Sequence, residues 1–441
     1  MPDTTVEIVH ALYSAFFERG VRYFFPDAAL AVEGRLVTPS PTLRFHSRPD
    51  GSVDLDWMGS RYHFETEGRP FTENQMRLLA GIGAVLSARY RSIFSAASAA
   101  STTSVFQGLA EDRYVSAFLD HTPYLDEDGL PAERDVVADA IEVLRESSLL
   151  TYENRRISTG VILLGAGEDP FHPAPAPPPG ALRYTNLLIG FKTFYRLCDG
   201  LRTVFLVDRD GMLVDLVDMQ QFARGRRADA LPAPSAARYH AHTLATLHGG
   251  HLCLVLTPNG EIKIFAGGVQ MFHFMEGRWR LSDIPEKYHE YYRAVGQADL
   301  ARRLFTAALN LAERRRGGLF VMLDDPRKAA DLIVSGDLLA GDTAGSHKGH
   351  LHYLLRNRRV EDLELTVLES IAHVDGAVVM DREGHLLAFG AILRHVEEGL
   401  PAQEGGRTTA ALHASRFGPV LKISEDGGVS FYQKGIRVWE I

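Results

Sequence analysis

The feature of this sequence that most constrains its fold is a degenerate internal repeat. The run Val204–Val214 aligns with Ala377–Leu387, and both are typical of a strand, an Asp-Arg-acid-Gly turn and a second strand. Further on, Cys253–Phe265 aligns with Val420–Phe431, and each pattern predicts a β-hairpin with an Asn-Gly or Asp-Gly turn. Two copies of these pieces in the same order predict two related modules in one chain.

The pieces around these runs extend the repeat. Thr159–Leu164 and Gly317–Leu323 each follow a helical stretch, and each is typical of a buried strand. Both hairpins then reach an aromatic strand, Met271–Phe274 in one half and Val438–Ile441 in the other. The predicted fold class is therefore α/β, with two tandem modules that each contain a mixed β-sheet flanked by helices.

The first 125 residues follow a different pattern. Alternating apolar residues around two turns predict a small β-meander, formed by Leu43, Phe45, Val53, Leu55, Trp57, Tyr62 and Phe64. A capping box at Thr72–Gln75 predicts the start of a helix, and a second helix is expected over Thr103–Leu119. We therefore expect a small N-terminal α+β domain, followed by a linker over Asp120–Pro131.

Composition limits the classes of function. A length of 441 residues allows two or three domains, and the predicted boundaries are 1–125, 126–285 and 290–441. A net charge of -9 argues against a surface that coats DNA or RNA. No apolar run is long enough to span a membrane and no cationic leader is present, so we expect a cytoplasmic protein with no membrane partner. The two cysteines, Cys198 and Cys253, are expected to be buried free thiols.

Three short motifs in the second copy carry a family resemblance. Asp375-Gly376-Ala377, Gly406-Arg407-Thr408-Thr409-Ala410-Ala411 and Ser424-Glu425-Asp426 stand in order within about fifty residues. They resemble the D-G-A, G-T-R-H-R-A-A and S-E-E motifs of the diadenylate cyclase (DAC) domain family. The resemblance covers residues 299–441 and implies a DAC-like nucleotide-binding module, with a degenerate DAC-like module at 126–285.

The resemblance implies a nucleotide site formed by Asp375, Gly376, Ala377, Gly406, Arg407, Thr408, Thr409 and Glu425. Asp375 would be the catalytic carboxylate if the module is active. Asp375 and Glu425 would hold Mg²⁺ or Mn²⁺ if ATP is bound or turned over. The residues support this independently, because an arginine at a helix N-terminus is a ready phosphate site. Taken alone, Asp375-Gly376 and Glu425-Asp426-Gly427 are also ordinary turn sequences.

Two departures from the family pattern bear on catalysis. The charged R-H-R triplet is replaced by Arg407-Thr408-Thr409, and this loss of charge should slow phosphoryl transfer more than it weakens binding. In the first copy, Asp199-Gly200 lies three residues further from its strand, and Arg238–His242 occupies the position of the phosphate helix. The first copy is therefore not expected to be catalytic.

Three hypotheses follow. The leading one is a sensor that binds an adenine nucleotide or a cyclic dinucleotide in bacterial nucleotide signalling. The alternatives are an active diadenylate cyclase that converts two ATP to cyclic di-AMP, and a structural protein without a ligand. The modules could pair as a homodimer or as an intramolecular pseudo-dimer.

Two groups of histidines accompany the motifs. They are His240, His242, His248 and His251 in the first half, and His347, His350 and His352 in the second. Without cysteines or carboxylates at metal-ligand spacing, we expect polar loop or surface histidines rather than a zinc or iron site.

A proline-rich run, Asp169–Gly180, is expected to form a stiff loop within the first module.

Overall fold

The computed structural model of the chain describes residues 2–36, 40–65, 70–94, 108–119, 135–172, 176–340, 349–394 and 405–441. The chain divides into two compact units, residues 1–231 with 241–283 and residues 232–240 with 284–441. The predicted linker Asp120–Pro131 and His347 lie outside the described residues. The division of the first unit at residue 125 therefore stays a prediction.

The first unit opens with a helix and a four-stranded antiparallel sheet in the order β1-β4-β3-β2. Its helices and strands are α1 (Pro2–Phe24), β1 (Ala29–Arg35), β2 (Arg44–Ser47), β3 (Val53–Trp57), β4 (Ser60–Glu65), α2 (Glu73–Phe94) and α3 (Ala110–Leu119). The sheet contains the predicted meander and one strand more, β1. The predicted capping box is present, because Thr72 N–H donates to Gln75 Oε1 and Gln75 N–H donates to Thr72 Oγ1.

The first repeat completes the same unit. Its elements are α4 (Val136–Ser148), β5 (Thr151–Tyr152), β6 (Arg155–Arg156), β7 (Thr159–Leu163), α5 (Phe194–Leu197), β8 (Thr203–Val207), β9 (Leu213–Asp218), α6 (Met219–Phe222), α7 (His240–Ala245), β10 (Leu252–Leu256), β11 (Ile262–Ala266), β12 (Val269–Met275) and β13 (Arg278–Leu281). Strands β7 to β13 form one mixed sheet in the order β13-β12-β11-β10-β7-β8-β9. Only the β7–β8 pair in this sheet is parallel.

The second repeat lies in the second unit. Its elements are α8 (Ile284–Val295), α9 (Ala298–Glu313), β14 (Gly318–Leu323), α10 (Ala329–Leu332), α11 (Leu365–Ala372), β15 (Ala377–Asp381), β16 (Leu386–Ala391), α12 (Gly406–Ala414), β17 (Val420–Ile423), β18 (Val429–Gln433) and β19 (Ile436–Glu440). The strand order is β16-β15-β14-β17-β18-β19, and only the β14–β15 pair is parallel.

The two mixed sheets share one topology. In each sheet the central strand has one parallel and one antiparallel neighbour. Strand β7 is parallel to β8 and antiparallel to β10. Strand β14 is parallel to β15 and antiparallel to β17. A helix precedes each central strand and packs on its sheet, α4 in the first half and α9 in the second. The α/β class with mixed sheets flanked by helices is thus confirmed.

Continuous apolar runs explain why the central strands are buried on both faces. Every residue of β7 and β14 is buried. In β14, Leu319, Val321 and Leu323 share a cluster with α12 residues that include Ala411 and Ala414. On the same sheet, Phe431 of β18 contacts Tyr291 of α8, with ring centroids 5.4 Å apart. This double coverage is what a strand without apolar-polar alternation requires.

Cys198 and Cys253 are buried free thiols, as expected. Burial raises the pKa of both side chains above the usual value for cysteine. Within the described part of the chain, no helix combines the length and the apolar character that crossing a membrane demands.

Candidate functional site

Three of the predicted side chains meet at one edge of the second sheet. Strands β14 and β15 begin at this edge, and β17 ends there because Gly318 pairs with Ile423. Asp375 lies just before β15, Glu425 just after β17, and Arg407 in the first turn of α12. Residues that are 50 positions apart in sequence are therefore neighbours.

The Arg407 guanidinium joins the two carboxylates. Its Nη1 lies 2.8 Å from Glu425 Oε1, and its Nη2 lies 3.9 Å from Asp375 Oδ1. The Asp375 side chain is fully exposed, and 69% of the Glu425 side chain is exposed. Ion pairs this exposed contribute at most about 1 kcal/mol, so a ligand can displace them at little cost.

A glycine makes room for this arginine. Gly317 precedes β14, and a Cβ at that position would overlap the Arg407 guanidinium. The arginine therefore lies directly over the start of the central strand. The dipeptide Gly317-Gly318 is a sequence signal for this close approach, because a buried strand alone does not require glycine at its start.

A second glycine fixes the turn that carries Asp375. Gly376 has a φ of 112°, a conformation that side chains with a Cβ rarely adopt. A Cβ there would also lie too close to the backbone of Gly390 on β16. The next residue, Ala377, is fully buried in β15, where it pairs with Ala391. Asp375 is thereby held at the rim by a turn that has no room for a larger residue.

The N-terminus of α12 combines a glycine N-cap with one buried polar pair. The N-cap is Gly405, which offers no side-chain acceptor to the first N–H groups of the helix. Thr408 is buried, and its Oγ1 accepts a hydrogen bond of 2.8 Å from Lys422 Nζ on β17. Thr409 is half-buried and Gly406 is exposed. Sequence reasoning missed Lys422, which supplies a second cation beneath the helix.

The turn after β17 sets the position of Glu425. Ser424 Oγ donates to Asp426, and Gly427 has a φ of 98°. The hydrogen bonds from the Ser424 hydroxyl and from Gly428 N–H lower the pKa of Asp426 below its usual value, against the opposing effect of burial. The Asp426 carboxylate therefore accepts hydrogen bonds within the turn, whereas the Glu425 carboxylate pairs with Arg407.

The carboxylates do not present a ready metal site in this arrangement. The guanidinium bridges Asp375 and Glu425, and a cation between them would have to displace it. Among the described residues, groups of three metal-type ligands lie elsewhere, at Glu33, Asp54 and His63 and at Asp381, Glu383 and His385. Binding of Mg²⁺ or Mn²⁺ by Asp375 and Glu425 stays a prediction. It would require the Arg407 guanidinium to move away from the two carboxylates.

Several histidines differ from the expectation of surface or loop positions. His242, His251 and His352 are buried. His242 Nε2 lies 2.9 Å from the Gly200 carbonyl oxygen, and His251 Nε2 lies 3.0 Å from Asp169 Oδ2. The expectation of a surface position was wrong for these three. His242 and His251 each have a partner inside the core, a backbone carbonyl and a carboxylate respectively.

The corresponding edge of the first sheet is built from different contacts. Asp199 turns its carboxylate onto its own backbone and accepts from the N–H groups of Leu201, Arg202 and Thr203. Burial opposes ionisation, but these backbone hydrogen bonds lower the pKa of Asp199 overall. Pro258 stands at the position that Glu425 has in the second copy. The first copy thus keeps the turn and lacks the exposed pair of carboxylates.

Comparisons with known proteins establish no family for this chain. No model of a known protein family matches it, and no curated protein matches it. Among solved structures, a hypothetical membrane-spanning protein from Bacillus cereus is 24% identical over 35% of this chain and 70% of its own, with a TM-score of 0.27. A double mutant of DacA from Staphylococcus aureus is 16% identical over 34% of this chain and 87% of its own, with a TM-score of 0.23. At these TM-scores, neither structure establishes an activity.

Proposed function

We propose that the second half of the chain is a nucleotide-binding module that senses an adenine nucleotide or a cyclic dinucleotide. The observation that carries the proposal is the position of Arg407. Its guanidinium lies in the first turn of α12, where the N-cap Gly405 offers no side-chain acceptor, and its partners are two exposed carboxylates. Guanidinium and helix N-terminus together favour a phosphate.

A bound phosphate group would take the place of Glu425 as the partner of Arg407. The exchange is favourable because guanidinium and phosphate form two parallel charge-assisted hydrogen bonds, whereas the present pair is exposed and screened by salt. Asp375 would then be free to accept a hydrogen bond from a ribose hydroxyl. This division of roles uses the groups at the edge without a metal ion.

The same contacts support sensing over catalysis. Phosphoryl transfer develops negative charge that several cations must stabilise. Of the predicted site residues, Arg407 alone is cationic, and the second cation, Lys422, is half-buried and donates to the Thr408 hydroxyl. One accessible guanidinium suits binding of a phosphate better than acceleration of its transfer.

A binding and turnover assay tests the proposal. The purified chain is incubated with ATP and with cyclic di-AMP, with and without Mg²⁺ or Mn²⁺, and both thermal stability and products are measured. We expect stabilisation by one of these ligands and no cyclic di-AMP formed from ATP. Arg407→Ala should abolish the stabilisation, because one or two charge-assisted hydrogen bonds are worth about 10- to 100-fold in affinity.

The control is Arg437→Ala, since Arg437 is an exposed arginine of the same unit that pairs with Glu440 at 3.2 Å. Stabilisation should persist in this variant. Formation of cyclic di-AMP that disappears in Asp375→Asn would replace the sensor by an active cyclase. Absence of stabilisation with every ligand would leave a structural role.

A further inference from the structure

The first helix of the chain carries two apolar stripes, and only one of them is buried. Tyr13, Phe17 and Val21 are buried against the N-terminal sheet and helices. Ile8, Leu12 and Phe16 repeat at the same spacing of four residues and are 64%, 49% and 43% exposed. A helix on the surface of a monomer normally has one apolar face, so the second stripe requires an explanation.

We propose that this second stripe binds a second copy of the same chain, as an antiparallel pair of α1 helices around a two-fold axis. The pattern along the stripe is self-complementary. The small residues Ala11 and Ala15 are exposed on the same face, beside Leu12 and Phe16. With the axis midway between Leu12 and Ala15, Leu12 lies level with Ala15 of the second copy, and Phe16 lies level with its Ala11.

Charge supports the antiparallel direction. The exposed face begins with an acidic residue, Glu7, and ends with two exposed basic residues, Arg19 and Arg22. About this axis an antiparallel pair brings Glu7 of each copy to within one helical turn of the level of Arg19 of the other, whereas a parallel pair would align like charges. A two-fold axis makes this ion pair twice.

The neighbouring helix carries a further exposed apolar residue at the level of the stripe. Helix α2 runs antiparallel to α1, because Tyr13 contacts Tyr90 with ring centroids 5.4 Å apart and Gly20 faces Ile82. Ile93, which is 52% exposed, therefore lies level with the beginning of the stripe. The added residue brings the patch nearer to the area of about 800 Å² per partner that a stable dimer needs.

Sedimentation velocity of the full chain over a range of concentrations tests this pairing. We expect a reversible monomer–dimer equilibrium. Leu12→Glu should raise the dimer dissociation constant at least ~100-fold, because it places two like charges in an apolar contact. The matched control is Leu149→Glu, since Leu149 is an 82% exposed leucine in the same unit, at the end of α4 and not on α1. It should leave the equilibrium unchanged.

Charge reversal supplies a second, independent test. Glu7→Arg and Arg19→Glu should each weaken the dimer, and the double variant should recover it. Wild-type chain that stays monomeric up to ~100 μM would overturn the proposal. So would a dimer that persists in Leu12→Glu, or a monomer that binds phosphatidylglycerol vesicles through the stripe.

Discussion

The two repeats have the same sheet topology and use the same turn positions in different ways. In the first copy, the Asp199 carboxylate accepts three backbone N–H groups, and proline replaces the acidic residue of the hairpin turn. In the second copy, Asp375 is fully exposed and Glu425 pairs with Arg407. The apolar strands maintain the fold in both copies, whereas a few turn residues decide whether the edge stabilises the chain or remains open to a ligand.

The largest expected effects concern a turn glycine that occurs once in each copy, next to the aspartate. Gly200 and Gly376 both have positive φ, and a Cβ on either would lie too close to the backbone of a neighbouring segment. Alanine at each position should therefore lower the free energy of unfolding of its own unit by roughly 2–4 kcal/mol. Chemical denaturation monitored by hydrogen exchange in β7 and in β14 measures each unit separately.

Controls for this pair are Gly190→Ala in the first unit and Gly336→Ala in the second. Neither glycine has positive φ, and a Cβ at either meets no atom within 4 Å. Both control variants should stay within about 0.5 kcal/mol of the parent. A tolerated Gly376→Ala beside a disruptive Gly200→Ala would show that the two edges do not share their turn.

Removing the turn aspartate should affect stability in the first copy and not in the second. Asp199→Ala removes the acceptor of three backbone N–H groups and should cost about 1–2 kcal/mol of stability, as the loss of a helix cap does. Asp375→Ala removes an exposed side chain and should change stability by less than about 0.5 kcal/mol. Urea denaturation of the two variants gives both values. Equal losses would mean that Asp375 is also a structural residue.

A smaller difference between the two units is expected in how their stability depends on pH. In the first unit His251 is buried, Gly165 N–H donates to its Nδ1, and its Nε2 faces Asp169, with Arg226 and His172 nearby. Burial outweighs the attraction of Asp169 and lowers the pKa of His251. Gly418 stands at the equivalent position in the second unit, where no side chain can titrate.

The sign follows from proton binding. Because the folded pKa lies below the unfolded value of about 6.5, the unfolded state binds more protons as the pH falls through that value. This contribution to stability is complete above the unfolded pKa and decreases below it. The first unit should therefore lose stability between pH 7 and pH 5, and His251→Gln should reduce that pH dependence. Urea denaturation at several pH values measures it, and an unchanged slope in the variant would assign the dependence to another group.

Sequence patterns predicted the repeated strands because buried strands need continuous apolar residues, as in Gly318–Leu323. Strand β1 was missed because it is a mostly exposed edge strand, with Val32 60% exposed. The contact between Arg407 and Glu425 depends on how α12 packs against the sheet, which no spacing in the sequence records. The buried histidines were misjudged because their partners, such as Asp169 for His251, lie far away in sequence.

The number of nucleotides bound per chain is the most direct test of the claim that the second copy binds a nucleotide and the first does not. Equilibrium dialysis with labelled ATP and with labelled cyclic di-AMP, on the full chain, should give one site per chain for the preferred ligand. That site should be lost in Arg407→Ala and retained in Arg202→Ala, since Arg202 is the exposed arginine beside Asp199 in the first copy. Two sites per chain, or a single site that survives Arg407→Ala, would contradict the assignment of binding to the second copy.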